Sequence, residues 1–222
     1  MQYPFSCIPA TYDAIETALS TARLARYLPA AKGDKHLALR LYVWNARICE
    51  ALYLPLQFAE VSTRNAISRP VKKRFGHGWF KNPKFCNLLP DRHKKNLSAT
   101  VTKEGKRRGL NLNQDHIIAG LPFGFWVSLM TKSYQNHLWM NGIKGSFPGA
   151  SKNVKCEEIY KKLDQMRHFR NAVAHQYAIF DRRPQKEVQN ALEITQLICP
   201  ETHWLSKETS KLSRIINQRP KS

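Results

Sequence analysis

Residues 34–75 read DKHLALRLYVWNARICEALYLPLQFAEVSTRNAISRPVKKRF. Leu37, Leu41, Trp44, Ile48 and Leu52 step by three or four, the spacing that lines side chains along one face of an α-helix. Leu56, Ala59, Thr63 and Ile67 continue the stripe. Asp34 stands where an N-cap carboxylate belongs, and Gly76-His77-Gly78 marks the other end. Pro55 falls inside this stretch and is expected to kink or split it, because proline removes a backbone donor and crowds the preceding turn.

Working outward, helical periodicity recurs and strand signals are almost lacking. Ile15, Leu19, Ala22 and Tyr27 predict a helix over 12–27. Ile117, Leu121, Phe125, Leu129 and Leu138 predict a buried helix or two over 115–138, interrupted by Pro122 and Gly124. At this spacing Phe123, Phe125 and Trp126 read as core packing before base stacking. Helices follow over 157–179, 186–198 and 207–217. Residues 76–114 differ in kind: glycine, proline and asparagine are frequent, and basic residues crowd in. The expectation is one all-α domain over 1–222. Its bundle core spans about 34–75 and 115–200, with an irregular, partly helical basic insert at 76–114 and additional N- and C-terminal helices, the last a basic helix within 205–222.

Charge narrows the function. The chain has 36 Lys and Arg against 16 Asp and Glu, a net +20. That excess repels itself in a compact state and is tolerated more easily beside a polyanion; nucleic acid, here RNA, is the first expected partner and an anionic membrane surface the second. Between Arg69 and Arg108 thirteen Lys or Arg face only Asp91 and Glu104. Lys72, Lys73, Arg74, Lys94, Lys95, Lys106, Arg107 and Arg108 are the candidate RNA-binding residues there. The alternative is a solvated basic surface without a ligand.

Other classes find no support. The five cysteines, Cys7, Cys49, Cys86, Cys156 and Cys199, have neither zinc-ligand nor redox-motif spacing and read as ordinary thiols in a reducing compartment. Residues 1–10 lack the pattern of a signal peptide, and no apolar run is long enough to span a membrane, so a soluble cytoplasmic protein without a membrane partner is expected. There is no Gly-rich phosphate loop and no HExxH, and acids are too few for a two-metal carboxylate cluster; no metal and no cofactor are expected. An enzyme made from this inventory would run on His, Arg, Lys, Tyr and amides. Those groups suit RNA cleavage, where the 2′-hydroxyl is the nucleophile and the protein moves protons and neutralises charge on phosphate.

The segment RHFRNAVAHQY at 167–177 concentrates those residue types. Asn171 and His175 lie four apart on one helix face, and the long Arg170 side chain reaches toward the same side. By physics alone, a buried Asn–His pair or an imidazolium at a helix C-terminus is an equal reading. Glu60 and Arg64, four apart, read as a helix-surface ion pair that with Asn65 lines the same cleft or only packs. His168 is an auxiliary candidate for proton transfer or an exposed bystander.

Arg170, His175 and Tyr177, with Asn171 after the arginine, are similar to the signature of the HEPN superfamily of helical nucleotide-binding domains, many of them RNases. The chain also resembles the Abi-like, abortive-infection branch over about residues 20–205. The matching stretches are LYVWN (41–45), PLQFAE (55–60) running into RNAI (64–67), GW (78–79), LPFGFW (121–126), IFDR (179–182) and ICPE (198–201). The resemblance implies a HEPN-like bundle and a metal-independent endoribonuclease of phage defence or a toxin–antitoxin pair, acting as a homodimer with the two motifs facing each other. It assigns proton transfer to His175, the scissile phosphate to Arg170 and an orienting role to Asn171. Tyr177 becomes a candidate site of regulatory nucleotidylation, and an antitoxin or other regulatory partner is implied. A non-catalytic RNA-binding module and a dimeric interaction protein of a defence complex are the competing readings.

Overall fold

The computed structural model describes residues 8–221, and these are all-α: eleven α-helices joined by short 3₁₀ and π turns, with no strand among them. Cys7 lies outside the described residues; Cys49, Cys86, Cys156 and Cys199 are free thiols. In chain order the helices are α1 (Pro9–Leu19), α2 (Thr21–Ala25), α3 (Lys35–Phe75), α4 (Pro83–Cys86), α5 (Asp91–Arg108), α6 (Gln114–Gly120), α7 (Phe123–Ser128), α8 (Cys156–Ala174), α9 (Pro184–Ile198), α10 (Pro200–Glu208) and α11 (Leu212–Ile216). None is long and apolar enough to cross a membrane.

The 41-residue α3, about 60 Å long at 1.5 Å per residue, is the spine against which α7, α8, α9, α10 and α11 pack. Asp34 caps it as expected: its Oδ1 accepts the N–H groups of His36 and Leu37 at 2.8 and 3.0 Å. Pro55 does not split it, and Pro70 is accommodated as well. The missing donor costs about 3 kcal/mol. Burial of Leu52, Leu56 and Ala59 around Pro55 offsets that, at about 1.5–3 kcal/mol for each large side chain.

Other boundaries moved for local reasons. The helix expected over 12–27 is broken at Ser20, which takes φ 76° and caps α2. The final basic helix is two pieces, α10 and α11, separated at Thr209 to Lys211. The basic stretch 76–114 is more regular and more deeply packed than the expected insert. It contains the 18-residue α5, and Trp79, Phe85, Leu89 and Leu97 join the main core. Phe123, Phe125 and Trp126 are core residues, as their spacing predicts.

The largest correction concerns α8, expected to run to about residue 179. It ends at Ala174, with His175 as its C-cap. Gln176 turns left-handed at φ 58°, and the N–H groups of Gln176 and Tyr177 fold back to the carbonyls of Val173 and Ala172, each at 3.0 Å. This is the Schellman arrangement that satisfies the last carbonyls of a helix, built without the usual glycine. What holds the chain there is Asn45 of α3, 3 % exposed. Its Oδ1 accepts the N–H of Ile179 (2.8 Å) and of Phe180 (3.1 Å), while its Nδ2 donates to the Tyr177 carbonyl (3.1 Å). One buried amide thus satisfies three backbone groups that leave the helix ladder.

Asn45→Ala leaves those three groups without partners. Each buried orphan costs about 1–3 kcal/mol, so a combined loss of about 2–5 kcal/mol is expected. At about 2–4 °C per kcal/mol for a chain of this size, thermal denaturation should show Tm falling by roughly 5–15 °C.

Candidate functional site

The site is assembled where α8 lies against α3. Glu60 is the centre of it. Its side chain is 10 % exposed, where an unpaired carboxylate would cost several kcal/mol. Two guanidinium groups solve this. Arg64, one turn along α3, bonds Glu60 Oε1 through Nη2, and Arg170 of α8 bonds Oε2 through Nε at 2.8 Å. The Arg170 Nη2 adds a longer contact to Oε1 at 3.5 Å, and its Nη1 donates to Asn171 Oδ1 at 3.2 Å. Arg64 also donates to the Ala119 carbonyl at 3.0 Å, at the end of α6. Burial lowers the Arg64 pKa, with Arg170 pushing the same way and Glu60 opposing. The cluster carries one negative and two positive charges, so a positive charge is left over beside α8.

Arg170 remains 38 % exposed and borders two recesses. The first, about 600 Å³, lies between α3 and the end of α8 and is lined by Cys49, Tyr53, Gln57, Glu60, Arg170 and Gln176 among others. Burial raises the Cys49 thiol to about 11, which removes a thiolate nucleophile from this recess at neutral pH. The second, about 430 Å³, lies on the other side of Arg170, against α5 and α7, and also exposes Arg64 and Asn171.

The expected site residues divide accordingly. Glu60, Arg64, Arg170 and Asn171 are brought together. The Glu60–Arg64 pair is more buried than a helix-surface ion pair, and Asn65 is not part of it: it points to solvent and lines neither recess. His175 is exposed at the helix end and lines neither recess either; its ring lies 6.0 Å from that of Tyr177, itself 55 % exposed. His168 is exposed beside Asp164 and Arg167, outside both recesses. Among the described residues, no three His, Cys, Asp or Glu side chains gather as a metal site requires.

The candidate RNA-binding cations lie at two helix ends and along α5. Lys72, Lys94 and Arg108 are drawn into ion pairs with Asp115, Asp91 and Glu104. Arg74 bonds the His137 carbonyl and covers the Phe75 ring. Lys73, Lys95, Lys106 and Arg107 are exposed and, among the described residues, unpaired. Lys106, Arg107 and Arg108 fall in the last turn of α5 and Lys72, Lys73 and Arg74 in that of α3, where the helix dipole also favours them.

Sequence reasoning missed Arg92, His93, Asn96, Tyr160 and Arg167, which line the second recess. It also missed the role of Asn45. The available signal for Asn45 was an amide set beside Trp44 within an apolar helix face. For Arg92, His93 and Asn96 it was their shared face at spacing one, three and four, hidden inside a generally basic run. Compared with known proteins, the chain matches no family model, no curated sequence and no solved structure.

Glu60→Gln removes the charge that holds two guanidinium groups together. With Arg170 partly screened by solvent, a loss of about 2–4 kcal/mol is expected in urea denaturation at low salt, partly recovered on adding sulfate. Cys49 provides a second check. Its pKa is raised on folding, so its contribution to stability is present below the unfolded value near 9 and is lost as pH rises toward 11. At pH 8 its alkylation by iodoacetamide should be at least about tenfold slower in the folded protein than in the denatured chain.

Proposed function

We propose that the chain is a metal-independent endoribonuclease of the HEPN type, of the Abi-like branch, acting in phage defence by abortive infection or in a toxin–antitoxin pair. The observation that carries this reading is the state of Arg170. Its guanidinium is fixed through Nε by Glu60 and through Nη1 by Asn171, yet more than a third of the side chain is open to solvent. Each of its three nitrogens meets an acceptor, Nη2 only at 3.5 Å, and these contacts use three of its five N–H groups; the two left over can take a phosphate without the side chain ordering itself first.

In this reading Arg170 holds the scissile phosphate and stabilises the charge that builds on it, and Asn171 orients Arg170. The ribose 2′-oxygen attacks phosphorus, the 2′-O–P bond forms and the bond from phosphorus to the 5′-oxygen breaks. His175 takes the 2′-hydroxyl proton, and a second acid protonates the leaving 5′-oxygen, giving a 2′,3′-cyclic phosphate and a 5′-hydroxyl. On an α-helix Arg170 and His175 stand about 140° apart. A homodimer that faces two such motifs supplies the partner's imidazole to the phosphate and completes the proton pair. The exposed Tyr177 hydroxyl beside His175 suits modification or capture by a regulatory partner or antitoxin.

A second reading, a non-catalytic RNA-binding module or dimeric interaction protein, is favoured by one specific observation. Among the described residues no carboxylate or amide orients the His175 imidazole, as a general base normally requires.

Purified protein incubated with end-labelled RNA in EDTA separates the two. Fragments ending in 2′,3′-cyclic phosphate are expected, with the rate falling by about 10²–10⁴ in His175→Ala while RNA binding changes little. Intact RNA, bound equally by both proteins with an affinity that falls steeply with salt, would establish the binding module.

A further inference from the structure

Arg170 and Asn171 of the cleavage scheme lie on the border of the second recess, whose other groups the scheme does not use, and it is the more strongly charged of the two. Arg64, Arg92, Arg167 and Arg170 line it. Asp164 answers Arg167 at 2.7 Å, and Glu60 answers both Arg64 and Arg170. Four guanidinium groups therefore meet two carboxylates, an excess of two positive charges around about 430 Å³. Among the described residues Arg92 is exposed and has no ion pair or hydrogen bond.

Other groups lining the recess also lack partners. Arg64 Nε and His93 Nδ1 are buried without a hydrogen bond. The His93 ring stands edge-on to Phe125, at 5.7 Å between centroids, which fixes its position. Burial and the neighbouring Arg92 lower its pKa, which favours the neutral imidazole, a form that can donate one N–H without adding charge. Asn96 lies one turn beyond Arg92 on the same face of α5, and Tyr160 comes from α8. Cations, amide and imidazole from three helices, with an aromatic ring beside them, match a phosphate attached to a ribose and base better than a bare carboxylate, which brings no ring to stack on Tyr160.

We propose that this recess, walled by α5, α7 and α8, binds a phosphodiester of single-stranded RNA flanking the one held by Arg170, with Arg92 as its ion-pair partner. Asn96 and His93 are its hydrogen-bond donors, and the Tyr160 ring lies against the adjoining nucleoside. The assignment rests on the RNA reading above and adds the place where the strand continues. It also gives direction to the strand path: the RNA crosses Arg170 from the α3 side toward α5, where the exposed Lys95 follows Arg92 by one turn.

The test is fluorescence anisotropy with a labelled 2′-O-methyl RNA octamer, which lacks the nucleophile and stays intact. Arg92→Ala and Asn96→Ala are measured beside Lys207→Ala, which removes a charge from α10. Arg92 is exposed, so its variant should fold normally. Binding weakened about 5- to 20-fold in Arg92→Ala and a few-fold in Asn96→Ala, with less than a twofold change in Lys207→Ala, is expected. Equal weakening by Arg92→Ala and Lys207→Ala would overturn the proposal in favour of a general basic field. A parallel titration with 5′-AMP distinguishes a free nucleotide as the source of phosphate. Loss of 5′-AMP binding in Arg92→Ala with octamer binding unchanged would overturn the RNA assignment. Cleavage of unmodified RNA by the wild-type protein keeps the two readings apart. Active protein whose octamer affinity ignores Arg92 overturns the recess alone; inactive protein whose affinity depends on Arg92 overturns the nuclease and leaves the recess standing.

Discussion

Glu60 is one helical turn from Arg64 and 110 residues of chain from Arg170, and its carboxylate holds both. Each of these ions would be costly to bury alone, by several kcal/mol. Together they tie α8 to α3 at a fixed register and leave the cluster one positive charge in excess. The same interaction therefore fixes the packing and leaves the excess charge on a partly exposed side chain. A one-to-one pair would have closed the helix contact and left nothing for an anion. With two guanidinium groups on one carboxylate, Arg170 is held in place while more than a third of its side chain stays exposed between two recesses.

A second polar anchor lies fifteen residues earlier on the spine. Asn45 and Glu60 are separated by four turns and about 60° of rotation, so both face the α8 side of α3. Glu60 holds Arg170 within α8, whereas Asn45 holds residues 177 to 180 after it. Between the two, the chain must leave the helix within a few residues. The left-handed turn at Gln176 is the result, and it places His175 at an exposed helix end instead of on a helix interior. The geometry of the candidate site is thus set by two buried polar contacts from α3, not by the local preference of its own sequence.

The basic region illustrates the limits of pattern. In α5 the buried face is only Leu97, Thr100 and Glu104, one apolar side chain in three, so its periodicity is faint against the surrounding lysines and arginines. Its neighbours Trp79, Phe85 and Leu89 reach the core from a 3₁₀ turn, the one-turn α4 and the segment after it, each too short for a helical period to announce them. Density of charge was legible; its division was not. Some cations neutralise acids or sit at helix ends, some face solvent, and Arg92 enters a recess shared with Arg64, Arg167 and Arg170.

By itself the sequence determined the all-α class, the long capped helix from Asp34, the buried aromatic cluster near Trp126, and the Glu60–Arg64 pairing of neighbours. These depend on apolar spacing and on residues within one helical turn, which a single chain displays directly. Tertiary structure alone decided the rest. It carried α3 through Pro55, because burial on both sides outweighs one missing hydrogen bond. It ended α8 at Ala174 by capturing backbone groups 134 and 135 residues away from Asn45. It also joined Arg170 to Glu60 and opened the second recess, because charge balance among groups so far apart in sequence exists only once the helices have packed.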